Sequence, residues 1–188
     1  MAASTPFVTV KKASSQAGRP SGKKMYVVLF KWQDVKEFEK DENGVRVTKL
    51  AFKEGAKPVA VYGTPSTIKV SAALEGDEDA KGYIHKVELQ HPGTPLQYDE
   101  LMNDIANEQL GAVVFGCAAD DAKLAGTPCA PLLVNSDESQ DDNEANRNTL
   151  VLQSALRSAP VGRIARSLVP ATGDSEVDAV LGLSDAGV

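Results

Sequence analysis

Cysteine is scarce in this chain: Cys117 and Cys129 are the only two. Two thiols make neither a disulfide framework nor the Cys-x-x-Cys pairs of a zinc site. Cys117 lies in an apolar run and is expected to act as a small core residue. Histidine is equally thin, with only His85 and His91. There is no His-Glu-x-x-His and no locally supported Ser-His-Asp order, so an enzyme is not expected. Aromatic residues make up only 5% of the chain, and many short Val, Ile and Thr segments favour strands over a helical bundle. No apolar stretch approaches the length of a membrane span, and Met1–Lys12 lacks the apolar run of a secretory signal. The expectation is a soluble protein of the cell interior that needs no cofactor, metal or membrane.

Charge of one sign is missing from each end. No acid precedes Asp34, while Lys11, Lys12, Arg19, Lys23, Lys24 and Lys31 are basic. No base follows Arg166, while Asp174, Glu176, Asp178 and Asp185 are acidic. Such ends either attract each other between copies or are two solvated tails. The net charge of −6 argues against a dedicated nucleic-acid groove. With 188 residues the chain is expected to form one domain with a core that needs no staples.

What is present is clearest between Lys81 and Ala118. Residues 81–90 alternate, with Tyr83, His85, Val87 and Leu89 on one face and Ile84, Lys86, Glu88 and Gln90 on the other, as in a strand with one buried side. His91-Pro92-Gly93 breaks the pattern. Thr94 is placed to cap a helix, with Pro95 at its first position and Gln97 where a capping-box partner belongs. Tyr98, Leu101, Met102, Ile105 and Ala106 then recur at helical spacing, predicting an amphipathic helix over 95–110 that ends at Gly111. Residues 112–118 are continuously apolar and short enough for a buried strand.

Before this unit, residues 1–24 predict an extended arm, with a linker-like stretch at 13–22. Strands are expected at 25–30, 45–52, 57–62 and 67–74, with Asn43-Gly44 a hairpin signal and 31–40 a loop or a short helical turn. After it, 119–129 reads as loop, 131–135 as a short strand, 136–146 as a polar acidic segment, and 149–156 and 161–168 as closing strands. Residues 169–188 predict an acidic C-terminal tail, either mobile or docked through a short helix at Val177, Val180 and Leu181. The fold class is therefore mainly β (α+β), a β-sandwich or open barrel over 25–168 with one packed amphipathic helix.

Several chemical readings fail on spacing. Gly18-Arg-Pro-Ser-Gly-Lys-Lys24 is one residue short of a phosphate loop, and Lys24 stands where a magnesium-binding hydroxyl belongs. Residues 136–144 are acidic enough for calcium but lack the central Gly and trailing Glu of an EF-hand loop. His85 shares a face with apolar residues and reads as a satisfied core or interface histidine. Asp99, Glu100 and Asp104 read as exposed helix acids. Gly-Thr-Pro occurs at 63–65, 93–95 and 126–128, but the flanks differ, so these are independent turns.

This layout of arm, strands at 25–30, 57–62, 67–74 and 81–90, helix at 95–110 and closing strands at 148–156 and 161–168 resembles the tail tube (major tail) proteins of tailed bacteriophages. The likeness covers about residues 5–168, and the acidic tail after Val169 is no part of it. It implies a virion structural protein, assembled in the host cytoplasm, whose copies form stacked hexameric rings around a channel for DNA and meet other virion proteins. A head–tail connector, a capsid decoration protein and a small soluble binding protein are the alternatives. On this reading Lys11, Lys12, Arg19, Lys23 and Lys24 are interface candidates. A channel must let DNA slide, so Glu75, Asp77, Glu78, Asp79, Asp137, Glu138, Asp141 and Asp142 are candidates for the lumen or ring face. Open strand edges are expected to join copies by strand addition.

Overall fold

The computed structural model describes residues 9–15, 17–117 and 120–183. Its strands are β1 (Lys23–Lys31), β2 (Val35–Lys40), β3 (Arg46–Phe52), β4 (Val59–Tyr62), β5 (Lys69–Glu75), β6 (Gly82–Pro92), β7 (Leu110–Gly116), β8 (Asp121–Ala125), β9 (Leu132–Asp141), β10 (Asn146–Ser154) and β11 (Gly162–Ala165). Two helices accompany them, α1 (Leu96–Ile105) and α2 (Ser175–Leu181). The mainly β architecture with a packed amphipathic helix is the expected one.

Pairing follows two paths. One runs β4-β1-β7-β8-β11-β3-β2 and the other β9-β10-β6-β5, joined at the single register pair Leu110 with Leu132. Only β11 and β3 are parallel. β1 and β7 form a wall shared by two cores. On β1, Val27 and Leu29 enter one core and Val28 and Phe30 the other; on β7, Leu110, Ala112 and Val114 part from Val113 and Phe115 in the same way. Side chains alternate across a strand, so a strand covered on both faces must be apolar throughout. That is why 112–115 carries no polar residue. The first core lies between this wall and the sheet β9-β10-β6-β5, and Tyr98, Met102 and Ile105 of α1 enter it. The second is enclosed by β3, β8, β11 and α2. At Gly111 the wall has no room for a side chain: a Cβ would sit 2.3 Å from the ring of Phe30.

Several expectations need correction. Residues 35–40 form β2 rather than loop, and register shifts on both sides of its centre hide the two-residue period. Residues 121–125 form β8, with Ala122, Leu124 and Ala125 buried. The acidic stretch 136–141 is strand, not loop; it pairs with β10 along its length, so backbone pairing rather than burial holds it. Thr94 does not cap α1: Pro95 stands at the cap, without a side-chain bond, and the helix stops at Ile105 because Leu110 already opens β7. Cys117 is exposed, one residue beyond the end of β7.

Both expected boundaries move. The arm ends at Gly22, since Lys23 and Lys24 belong to β1. Residues 169–183 are part of the domain rather than a mobile tail: Val169, Leu181 and Leu183 are buried, and α2 is the short docked helix expected as the alternative at Val177, Val180 and Leu181. Asp174 caps α2 by accepting from the amides of Glu176 and Val177, and Gly182 closes it at φ 71°. The buried Asp178 carboxylate accepts from the Thr172 amide at 2.9 Å, the Thr172 hydroxyl at 2.8 Å and the Gly173 amide at 3.1 Å. The acidic character of this segment is thus partly spent on its own folding. Residues 184–188, with Asp185, lie outside the described residues.

Candidate functional site

The sheet β9-β10-β6-β5 presents one face to the first core and the other to solvent. β5 is an edge strand, pairing with β6 alone among the described residues, and its side chains are largely exposed. Its free backbone groups can be named. The Tyr83 amide donates to Ser158 O and the His85 amide to Ser154 Oγ, both beyond the β10 side of β6, whereas the Gln90 amide donates to Thr67 Oγ1 on the β5 side. Even-numbered amides of β6 therefore face β5. With Lys69, Ser71 and Ala73 opposite Glu88, Lys86 and Ile84, the residues that bond inward are the odd ones. Val70, Ala72 and Leu74 turn their N–H and C=O groups to the open edge, and Leu74 adds a side chain that is 56% exposed. At the other side of the sheet, β9 meets β7 only at Leu132.

The acidic candidates divide among four places. Glu75, Asp77, Glu78 and Asp79 sit at the β5–β6 turn, at one end of the sheet. Asp141 and Asp142 sit at the β9–β10 turn, at the opposite end, where Asp142 accepts from the amides of Glu144 and Ala145. These bonds and one from Gln140 hold its carboxyl below the usual range, the Gln140 side chain contributing most. Glu138 lies on the solvent face opposite Thr149. Asp137 points the other way, because a register shift between Val151 and Leu152 inverts the alternation of β9. Its carboxylate accepts from the Tyr98 hydroxyl at 2.7 Å and so fastens α1 to β9. Burial, then this bond, raises the Tyr98 phenol far above its ordinary value.

The solvent face is charge-balanced rather than acidic. By register it carries Lys69, Lys86 and Arg147 with Glu75, Glu88 and Glu138. Lys69 reaches Glu88 at 3.4 Å, Lys86 also bonds Glu88, and Arg147 donates to Gln140 at 3.3 Å. The two lysines lower the Glu88 pKa, chiefly through the Lys86 bond.

The basic candidates split as well. Lys11, Lys12 and Arg19 are exposed in the leading segment. Lys24 instead donates to Val180 O and holds α2 against β1; burial, then nearby Arg166, depresses its pKa. An aromatic series locates the base of this arm: Tyr26 meets Tyr62 edge-on at 5.6 Å, Tyr62 meets His91 at 6.3 Å, and His91 stacks on Tyr98 at 5.1 Å. The start of β1 therefore lies beside the end of β6.

At the other end of β6 is a groove of about 750 Å³ lined by Glu75, Lys81, Ile84, Cys129, Leu156 and Arg157, among others. His85 is fully buried and does not line it, though the groove residue Ser158 places its Oγ 3.4 Å from His85 Nε2. The Gly126 amide donates to Nδ1 at 3.0 Å, so Nε2 carries the proton and donates to Ala159 O at 2.8 Å. Burial, the largest effect, lowers the affinity of this imidazole for a second proton. It is the satisfied core histidine that its strand face predicts. Among the described residues no group of three or more His, Cys, Asp or Glu side chains is placed to hold a metal, and no helix is long and apolar enough to cross a membrane. The open amides of Val70, Ala72 and Leu74 have no side-chain signature, and Leu156 reads in sequence as ordinary strand. Comparisons with family models, with curated proteins and with solved structures return no match for this chain.

Proposed function

We propose that this chain is a virion structural protein, a tail tube subunit whose copies assemble into stacked rings around a channel for DNA. The observation that carries this reading is the four-stranded sheet with an open strand, β5, at one side and the barely covered β9 at the other. Successive strands alternate in direction, so β5 and β9 run opposite ways. A second copy, rotated about an axis along the strands, brings its β9 to the first copy's β5 in antiparallel order. That contact is heterologous, and repetition closes it into a ring if the rotation fits. Strand addition of this kind draws its affinity from main-chain hydrogen bonds.

The solvent face of the sheet then lines the channel. Its lysines are engaged by Glu88 and its arginine by Gln140, so the wall offers no free row of cations to grip phosphates. On this reading the wall is charge-balanced, and the acidic turns at 75–79 and 141–142 fall towards the ring faces. The exposed residues 9–15 and 17–21, which precede the point where Gly22 O accepts from the Cys117 amide, support a second contact between rings.

Negative-stain microscopy and sedimentation of the purified chain over a concentration series test this. Rings with a central hole are the expected particles. A monomeric mass at every concentration, unchanged by adding tailed-phage particles, overturns the reading.

A further inference from the structure

We propose that the cavity between α1, the end of β1 and the turn before β4 binds an aliphatic α-amino acid. The ligand's side chain enters the cavity, and its ammonium and carboxylate meet Asp34 and Lys57 at the mouth. The site lies within one copy and is independent of ring assembly.

Three observations carry it. The first is an apolar interior. The cavity measures about 230 Å³, and its floor is Leu29 of β1, Ile105 of α1 and Leu110 of β7, each at most 2% exposed. At the mouth stand Leu101, partly buried, and Val59, 42% exposed at the start of β4. A ligand that covers these two side chains removes apolar surface from water. At roughly 30 Å³ per water, the cavity has the capacity of about eight waters. That suits an aliphatic amino acid such as leucine, and it is smaller than the ~300 Å³ at which pockets for drug-sized ligands begin.

The second observation is charge at the mouth. Lys31, Asp34, Lys57 and Asp104 line the cavity. Lys31 and Asp104 are engaged with each other at 2.9 Å, and Glu108 joins Lys31 at 3.4 Å. The side chains of Asp34 and Lys57 have no partner among the described residues and do not pair with each other. One free carboxylate and one free ammonium beside an apolar floor complement a ligand that carries both charges next to an apolar chain. A fatty acid would leave Asp34 unanswered, and an alkylamine would leave Lys57 unanswered.

The third observation is that backbone bonds hold the rim. Asp34 ends the short 3-10 turn Trp32–Asp34 that follows β1. The Trp32 amide donates to Gln109 O at 2.8 Å, and the Lys53 amide donates to Asp34 O at 2.8 Å. The Ala56 amide then donates to Lys53 O at 3.0 Å, one residue before Lys57. The turns that carry the two charges are therefore tied to each other. The Lys57 side chain passes beside Gly173, where a Cβ would come within 2.9 Å of Nζ. A rim fixed before the ligand arrives loses less to ordering when it binds.

Calorimetric titration of the full-length chain with L-leucine tests the assignment. Saturable binding is expected. Glycine lacks the apolar chain, isocaproate the ammonium and isoamylamine the carboxylate, so each is expected to bind roughly tenfold more weakly or worse. Asp34→Asn and Lys57→Gln are each expected to weaken leucine binding by a similar factor. Neither side chain is buried, so both variants should keep the parental thermal midpoint. No saturable binding at millimolar leucine overturns the assignment. So does leucine binding that is indifferent to both substitutions or no tighter than that of the three analogues. None of these results bears on ring formation, and absence of rings leaves the cavity as it is.

Discussion

The free edge of β5 allows a substitution that separates folding from assembly. Ala72 lies at the centre of the edge, and its N–H points away from β6. Replacing Ala72 by Pro removes a donor that no bond inside the copy uses, and proline is tolerated on edge strands for that reason. In an edge-to-edge junction, Val70, Ala72 and Leu74 offer three N–H and three C=O groups. At a net ~1 kcal/mol per hydrogen bond, a fully paired edge contributes about 6 kcal/mol. Ala72→Pro removes one bond and strands the opposing carbonyl, which costs a further ~1–3 kcal/mol, so each junction loses about 2–4 kcal/mol. That is roughly a 30- to 1000-fold weaker association per contact, multiplied around a ring. Sedimentation velocity should show the variant as monomer at concentrations where the parent forms rings, with a thermal midpoint close to the parent's. Ser71→Pro is the control: its N–H faces β6, so it should destabilise the fold itself by about 3 kcal/mol. Rings formed by Ala72→Pro at the parental concentration would refute the edge as the site of assembly.

Three further outcomes follow from the cores. Ile105→Asp places a carboxylate where the side chain is buried in the first core, at a cost of several kcal/mol, so the variant should be unfolded or insoluble on expression; a soluble variant that still forms rings would show that this face of α1 is not buried. Gly111→Ala forces the Phe30 ring aside and should lower stability by roughly 1–3 kcal/mol in urea titration, and Phe30→Leu should recover part of it; an unchanged midpoint would contradict the close approach. Burial, then the charge of Lys40, favours the neutral form of His85 against the opposing bond to Ala159 O. Above pH ~6.5 the residue is neutral folded or unfolded and adds no pH dependence; below it the unfolded chain takes up the proton first, so stability falls by up to ~1.4 kcal/mol per pH unit. Urea midpoints at pH 7.5 and 5.5 should diverge less in His85→Gln, and equal divergence would exonerate the histidine.

The strand, helix and strand between Lys81 and Gly116 were legible because burial there is one-sided in β6 and α1 and two-sided in β7, and each leaves its own period. β2 and the outer half of β9 were not, because register shifts interrupt the alternation that marks a strand; only the start of β9, at 131–135, was expected. β9 also keeps its outer half polar, so nothing in its composition separates it from an acidic loop. The trailing segment misled through charge: Asp174 and Asp178 read as solvated acids, yet one caps α2 and the other gathers three hydrogen bonds from Thr172 and Gly173. Of the interface candidates, Lys11, Lys12 and Arg19 are exposed, whereas Lys23 and Lys24 belong to a strand whose polar beginning hides it. The open edge of β5 was invisible in the residues themselves, since an unpaired amide depends on what the neighbouring chain does.

The wall made by β1 and β7 has a mechanical consequence. Each of its strands contributes alternate side chains to both interiors, so neither half can melt while leaving the other its boundary. The molecule should lose structure in one concerted step, with no surviving half to expose raw apolar surface. In the ring assembly proposed above, such indivisibility would keep local strain from opening a seam.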